Sequence, residues 1–151
     1  MLYDLFMPRK PFDPAVIDFG QSIGLLVRRV RAAAASNELS LTESGVLRRL
    51  AKEGPATTAD LARAQGMRPQ SMRTVITTLE KMGMVEREPH ATDGRQINIA
   101  LTAKGVAEEK STTEAKRTWL AHAISELSHE ERETLFAAGK IIRQLVEGGP
   151  Q

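Results

Sequence analysis

Apolar side chains recur at two spacings along this chain: every three to four positions over most of its length, and every second position in one short stretch. From Pro14 onward, Val16, Phe19, Ile23, Leu26, Val27 and Val30 share a helical stripe. Asp13 suits the cap of that helix and Pro14 its first position, so a helix is predicted from 14 to about 35. It is long for a chain of 151 residues, and its apolar positions spread over more than one side, which points to packing against a second chain. Arg28, Arg29 and Arg31 lie near its end, where cations complement the helix dipole. Ahead of it, Pro8, Pro11 and Pro14 predict an extended arm over residues 1–12. Ser36-Asn37-Glu38 interrupts the pattern behind it.

The central third repeats short helical patterns between breakers. Thr42 is expected to start a helix over 43–53 with Val46, Leu47 and Leu50 inward, ended by Gly54-Pro55. Thr57 caps a short third helix, with Asp60 at its third position and Leu61, Ala62 and Ala64 as the buried face. Gly66 follows as the residue just past its end. Pro69 then opens a fourth helix whose stripe is Met72, Val75, Ile76, Leu79 and Met82, stopped by Gly83. Gln70, Ser71, Arg73, Thr74 and Thr77 fall largely on its other face. Two helices joined by a tight turn, the second with a polar exposed side, form a helix-turn-helix. Met84 to Arg87 reads as a strand, and Asp93-Gly94 as a type I′ or bulged turn. Ile97, Ile99 and Leu101 alternate with Gln96, Asn98 and Ala100, a half-covered strand. The resulting hairpin, with its tip at about 89–95, is a wing.

The last third is helical again. Thr102 caps a segment over 103–123 with a thin apolar stripe (Val106, Ala115, Trp119, Leu120, Ala123) and an ill-suited Gly105 in its first turn. Ser128 and Glu131 make a capping box for a final helix faced by Leu135, Phe136, Ala138, Ile142, Leu145 and Val146. Neither terminal segment can enclose a core alone. The fold expected is mostly α with a small β wing: a winged helix-turn-helix over 42–101, with a helical dimerisation region formed by residues 1–35 and 103–151 from both termini.

Composition narrows the chemistry. Without cysteine there are no disulfides and no thiolate metal sites. One Trp, one Tyr and four Phe leave the core to aliphatic residues and Met. The net charge of +2 is too small to argue for nucleic acid by itself; that needs a local patch. No run reaches the apolar length of a membrane span, and the first seven residues lack the apolar stretch of a signal peptide, so a cytoplasmic location is expected. His90, His122 and His129 have no ligand spacing, and no G-x-S-x-G, phosphate-loop or dinucleotide pattern occurs. No metal, cofactor or enzymatic activity is expected.

The order of elements, and the strings at residues 79–87 (Leu-Glu-Lys-Met-Gly-Met-Val-Glu-Arg), 92–105 (Thr-Asp-Gly-Arg-Gln-Ile-Asn-Ile-Ala-Leu-Thr-Ala-Lys-Gly) and 127–131 (Leu-Ser-His-Glu-Glu), resemble the MarR family of bacterial regulators over about residues 13–147. The resemblance implies a homodimer on palindromic double-stranded operator DNA, usually a repressor, often relieved by a small phenolic or otherwise aromatic ligand. Gly94 stands where family members often carry a basic residue beside the wing arginine.

Within a winged helix, Arg73 is the residue expected to read bases, because a guanidinium pairs with both guanine O6 and N7. Gln70, Ser71, Thr74 and Thr77 can hold phosphate or base edges. Arg68 is expected at phosphate or as a helix-start residue. On the wing, Arg95 is expected in the minor groove with Asp93 orienting it or the turn, and Arg87 and His90 at phosphate. A surface salt bridge from Arg95 to Asp93 or Glu88 is the plain alternative. The resemblance places an aromatic or anionic effector between the winged module and the dimer helices, where Arg28 or Arg29 could pair with an anion. Trp119 suits a dimer interface, such a pocket or an ordinary core contact. An effector-independent architectural DNA binder and a protein-binding winged helix are the alternatives in function; the polar, basic face of the fourth helix speaks against the second.

Overall fold

The computed structural model describes residues 13–34 and 39–149. The arm at 1–12 and the break at Ser36-Asn37-Glu38 fall outside the described residues. In order, the elements are α1 (Pro14–Ala33), α2 (Leu41–Glu53), β1 (Ala56–Thr57), α3 (Thr58–Ala64), α4 (Pro69–Lys81), β2 (Val85–Pro89), β3 (Ile97–Leu101), α5 (Ala103–Ser125) and α6 (His129–Gly148). The chain is predominantly α-helical with a three-stranded wing.

Except at α4, helix starts follow side-chain capping. Asp13 accepts from the Ala15 N–H at 2.8 Å, with Pro14 in the first turn. Thr57 accepts from Asp60 N–H at 3.2 Å, and Ser128 and Glu131 form the reciprocal box expected of α6. The start of α2 differs from expectation. Ser40, not Thr42, is its cap, because Glu43 lies three residues beyond Ser40 and returns a bond to its N–H at 2.8 Å. Thr42 sits inside the first turn.

One core holds the winged module together. Val46, Leu47 and Leu50 of α2, Leu61 and Ala62 of α3, Met72, Ile76 and Leu79 of α4, and Met84, Val85 and Ile99 close on one another. Ala64, expected in this core, is exposed. It lies about 200° round the helix from Ala62, and α3 is only two turns long.

The sheet has the order β1-β3-β2, antiparallel throughout. The two-residue β1 carries no periodicity and is unforeseen. It pairs Ala56 with Ile99 and Thr57 with Asn98, which makes β3 the central strand. The simple alternation expected of β3 is therefore replaced. Ile99 is fully buried, yet Ile97 is 52% exposed and Ala100 is buried. Ile97 pairs with Pro89 at the outer end of the hairpin, past the reach of β1, whereas Ala100 lies at its base near α5.

α1 lies against α5, but neither α1 nor α6 buries a single residue within the chain. Their large side chains face outward, among them Phe19, Leu26, Phe136, Leu145 and Val146.

Candidate nucleic-acid interface

Burial of Met72, Ile76 and Leu79 orients α4 and leaves Gln70, Ser71, Arg73, Thr74 and Thr77 exposed on its outer side. Thr77 donates its hydroxyl to the Arg73 carbonyl at 2.9 Å, and Thr78 does the same to Thr74 at 3.1 Å. The Thr77 oxygen keeps its acceptor lone pairs. Arg73 has no ion pair among the described residues. Arg68 occupies the N-cap of α4 in extended conformation without a side-chain capping bond, and Pro69 follows. The positive end of the α4 dipole is thus left open beside an arginine.

The other end of α4 is tightly held. Gly83, at φ 74°, lets the chain leave the helix with Gly83 N–H on the Glu80 carbonyl and Met84 N–H on that of Leu79. The start of α5 then grips this exit. Thr102 donates its hydroxyl to the Gly83 carbonyl, and Lys104 Nζ reaches the Met82 carbonyl at 2.7 Å. Gly105, which looked ill-suited to a first helical turn, is what this contact needs. A β-carbon there would stand 2.0 Å from the Met84 carbonyl oxygen.

Arg87 on β2 clasps Glu80 of α4 through Nε at 3.0 Å and a terminal nitrogen at 2.9 Å, so it ties the wing to the helix. At the tip, Asp93 accepts from the Arg95 N–H through its carboxylate and from the Gln96 N–H through its carbonyl, both at 3.0 Å. The reversal is centred on Gly94-Arg95. Gly94 is not at positive φ, so the expected type I′ turn, which needs positive φ at both central residues, is not the one formed. His90 faces the inside of the tip, its Nδ1 near the Thr92 and Asp93 N–H groups. Arg95 is exposed and has no ion pair to Asp93, Glu88 or any other described residue.

A cleft of about 710 Å³ opens between α1, α2 and α5. Leu26, Val27, Val30, Leu39, Leu41 and Leu120 supply apolar wall; Arg28, Arg31, Arg48 and Lys116 supply cations, with Glu108 the acid among them. Partial burial holds the Lys116 ammonium below the usual lysine range, with Arg48 and Arg31 adding to that and Glu109 opposing. Arg29 and Trp119 are not on the wall. Arg31, Arg48 and Lys116 were not singled out from sequence: they come from three helices, and only Arg31 stood in a visible basic run. Among the described residues no group of three or more acids or histidines could hold a metal ion, and no helix is long and apolar enough to cross a membrane.

The MarR family model matches residues 38–96. The chain is 35% identical over 133 residues to an uncharacterised helix-turn-helix transcriptional regulator of Mycobacterium bovis, covering 88% of this chain and 93% of the relative. It is 34% identical over 107 residues to the transcriptional repressor Rv2887 of Mycobacterium tuberculosis, covering 70% and 77%. The crystal structure of Rv1404 from Mycobacterium tuberculosis superimposes with a TM-score of 0.80 at 24% identity, over 96% of this chain and 99% of that one. The chain belongs to the MarR family of winged helix-turn-helix transcription regulators, whose members bind DNA and are not enzymes.

Proposed function

We propose that this regulator binds palindromic duplex DNA as a homodimer, represses the adjoining gene, and is released by a small anionic ligand with an apolar body. The observation that carries DNA recognition is the pair of arginines without ion pairs among the described residues, Arg73 on the outer face of α4 and Arg95 at the wing tip. With α4 in a major groove, Arg73 is the base reader and Gln70, Ser71, Thr74 and Thr77 hold base edges or phosphate. Arg68 and the open start of α4 face phosphate, and Arg95 reaches the adjacent minor groove. Repression is supported by the likeness to Rv2887, itself called a repressor. The dimer joins residues 1–35 and 103–151 of two copies around the exposed apolar faces of α1 and α6, leaving 42–101 to the DNA. Release by a ligand is supported by the cleft, whose cations suit a carboxylate and whose leucines and valines suit an apolar or aromatic body.

Footprinting on the DNA flanking the gene tests this reading. Two protected half-sites related by a dyad, about one helical turn apart, are expected. Protection of a lone half-site by a single copy would overturn it.

A further inference from the structure

His90 closes the wing tip from within. Its Nδ1 faces the backbone N–H groups of Asp93 at 3.1 Å and Thr92 at 3.3 Å, with the Thr92 hydroxyl at 3.4 Å. The backbone N–H of His90 donates to the Gln96 carbonyl at 3.2 Å, across the mouth of the loop. Two backbone donors converge on one ring nitrogen, so that nitrogen must present its lone pair and the ring proton must sit on Nε2. The same Asp93 then accepts from the N–H groups of Arg95 and Gln96. A continuous run of hydrogen bonds thus leads from the imidazole to the backbone of the wing arginine.

We propose that His90 is the positioning residue of the wing: as neutral imidazole it holds the tip in the shape that presents Arg95, and on protonation it releases the tip, so that operator binding weakens in acid. The DNA half of this rests on the role proposed above for Arg95. An imidazolium carries a hydrogen on both nitrogens. Its Nδ1–H would point at two N–H donors, so both bonds are lost and like dipoles meet. The charged residues that flank His90 along the hairpin are Glu88 before it and Asp93 and Arg95 after it. Across the hairpin stand Gln96, Ile97 and Asn98, which are uncharged. The Asp93 carboxylate, which would favour the cation, already accepts from Arg95 N–H.

The direct-contact role, His90 against phosphate, predicts the opposite sign. A protonated ring beside the DNA backbone adds a cation and tightens binding in acid. Sign therefore separates the two.

Operator affinity is measured by fluorescence anisotropy at fixed salt, at about pH 5.5 and about pH 7.5, on either side of the range in which imidazoles titrate. Wild type is compared with His90→Asn and His90→Ala. The asparagine oxygen can accept the same N–H groups without titrating. Other titrating groups, His122 and His129 included, are common to all three proteins. Acidification is expected to weaken wild type about three- to tenfold more than His90→Asn, the scale of one or two hydrogen bonds. His90→Ala should be weak at both values. In parallel, nitrogen NMR of the free protein should report the Nε2–H tautomer at the higher pH, and the Thr92 and Asp93 amides should lose protection at the lower one. An Nδ1–H tautomer, or a tip that stays closed in acid, overturns the cap. Acid tightening of wild type relative to His90→Asn overturns it in favour of the phosphate contact. A tip that opens in acid while Arg95→Ala leaves affinity unchanged instead overturns the role of the wing at DNA.

Discussion

Single side chains divide into those that hold the module and those left facing outward. Arg73 belongs to the second group, and Arg73→Ala should cost about 1–3 kcal/mol on the specific operator, the scale of one bidentate base contact. Non-specific DNA should suffer far less; equal losses on both in a fluorescence titration would reduce Arg73 to a phosphate contact. Arg95 makes no ion pair among the described residues, so Arg95→Ala should leave the thermal midpoint nearly unchanged. It should also lower operator affinity and reduce the salt slope by roughly one unit per half-site. Unchanged affinity across a salt series, with the dimer intact, would remove it from the interface. Lys116 is a residue held at a cost. Burial, then Arg48 and Arg31, lower its affinity for a proton in the folded chain. At neutral pH the unfolded chain carries the same charge without that penalty. Lys116→Met should therefore raise the thermal midpoint by about 1–3 °C in scanning fluorimetry, while weakening an apolar carboxylate in calorimetry. The gap should narrow in alkali. Between the lowered folded pKa and the unfolded one, the unfolded chain binds more protons, so wild-type stability rises with pH until the lysine is neutral in both states. A midpoint that falls on substitution would contradict this account.

At the scale of elements, the exit of α4 is held by the first turn of α5 through specific bonds rather than through broad packing. Lys104 and Thr102 bond the carbonyls at the exit of α4, and Gly105 admits the Met84 carbonyl where a β-carbon could not fit. α4 is thereby fixed to a helix that also walls the cleft, so under the proposed function a ligand there would have a short mechanical route to the face of α4. Gly105→Ala should destabilise the fold by about 1–3 kcal/mol, the usual cost of overpacking a filled site, read as a lower urea midpoint. Wild-type stability in that variant would mean that the junction can relax. The strings around Gly83 and Leu101 to Gly105 were visible in the sequence, but as a pattern and not as a contact. Gly105 looked like a poor helix-former because its neighbour across the junction lies some twenty residues earlier in the chain. The two-residue β1 was invisible for a related reason. Too short to show a period, it forms only because Ile99 is brought beside Ala56.

For the whole molecule, the decisive fact is the imbalance between a well-closed winged module and two helices with uncovered apolar faces. Phe136 is 51% exposed and Leu145 62% in the single chain, more than isolated surface leucines require and arranged along one helix. Phe136→Asp should thus leave the module folded while separating the copies, because Phe136 lies on α6, outside the core of the winged module. Analytical ultracentrifugation at about micromolar concentration, a range in which an extensive apolar interface stays associated, should show half the wild-type mass. Operator affinity should fall with it. A monomeric wild type would contradict the proposed assembly.

What the sequence determined by itself was local. Helices announce themselves through a repeat shorter than two turns and through caps that act within three residues, so Asp13, Thr57, Ser128 and the stripes of α2 and α4 were legible without a fold. The outward face of α4 followed as the complement of its buried one. Even there, Ser40 took the cap from Thr42, a choice between neighbours made by which of them had a glutamate three positions on. Tertiary structure alone decided what depends on distant partners. It exposed Ile97 and buried Ala100 through the reach of β1 and the approach of α5. It gathered Arg31, Arg48 and Lys116 from three helices around one cleft and left Arg29 and Trp119 off its wall. It also turned His90 inward, onto the backbone of the wing tip. Spacing along a chain can say that a residue is polar and near a turn; only the closed loop decides which atoms its lone pair meets.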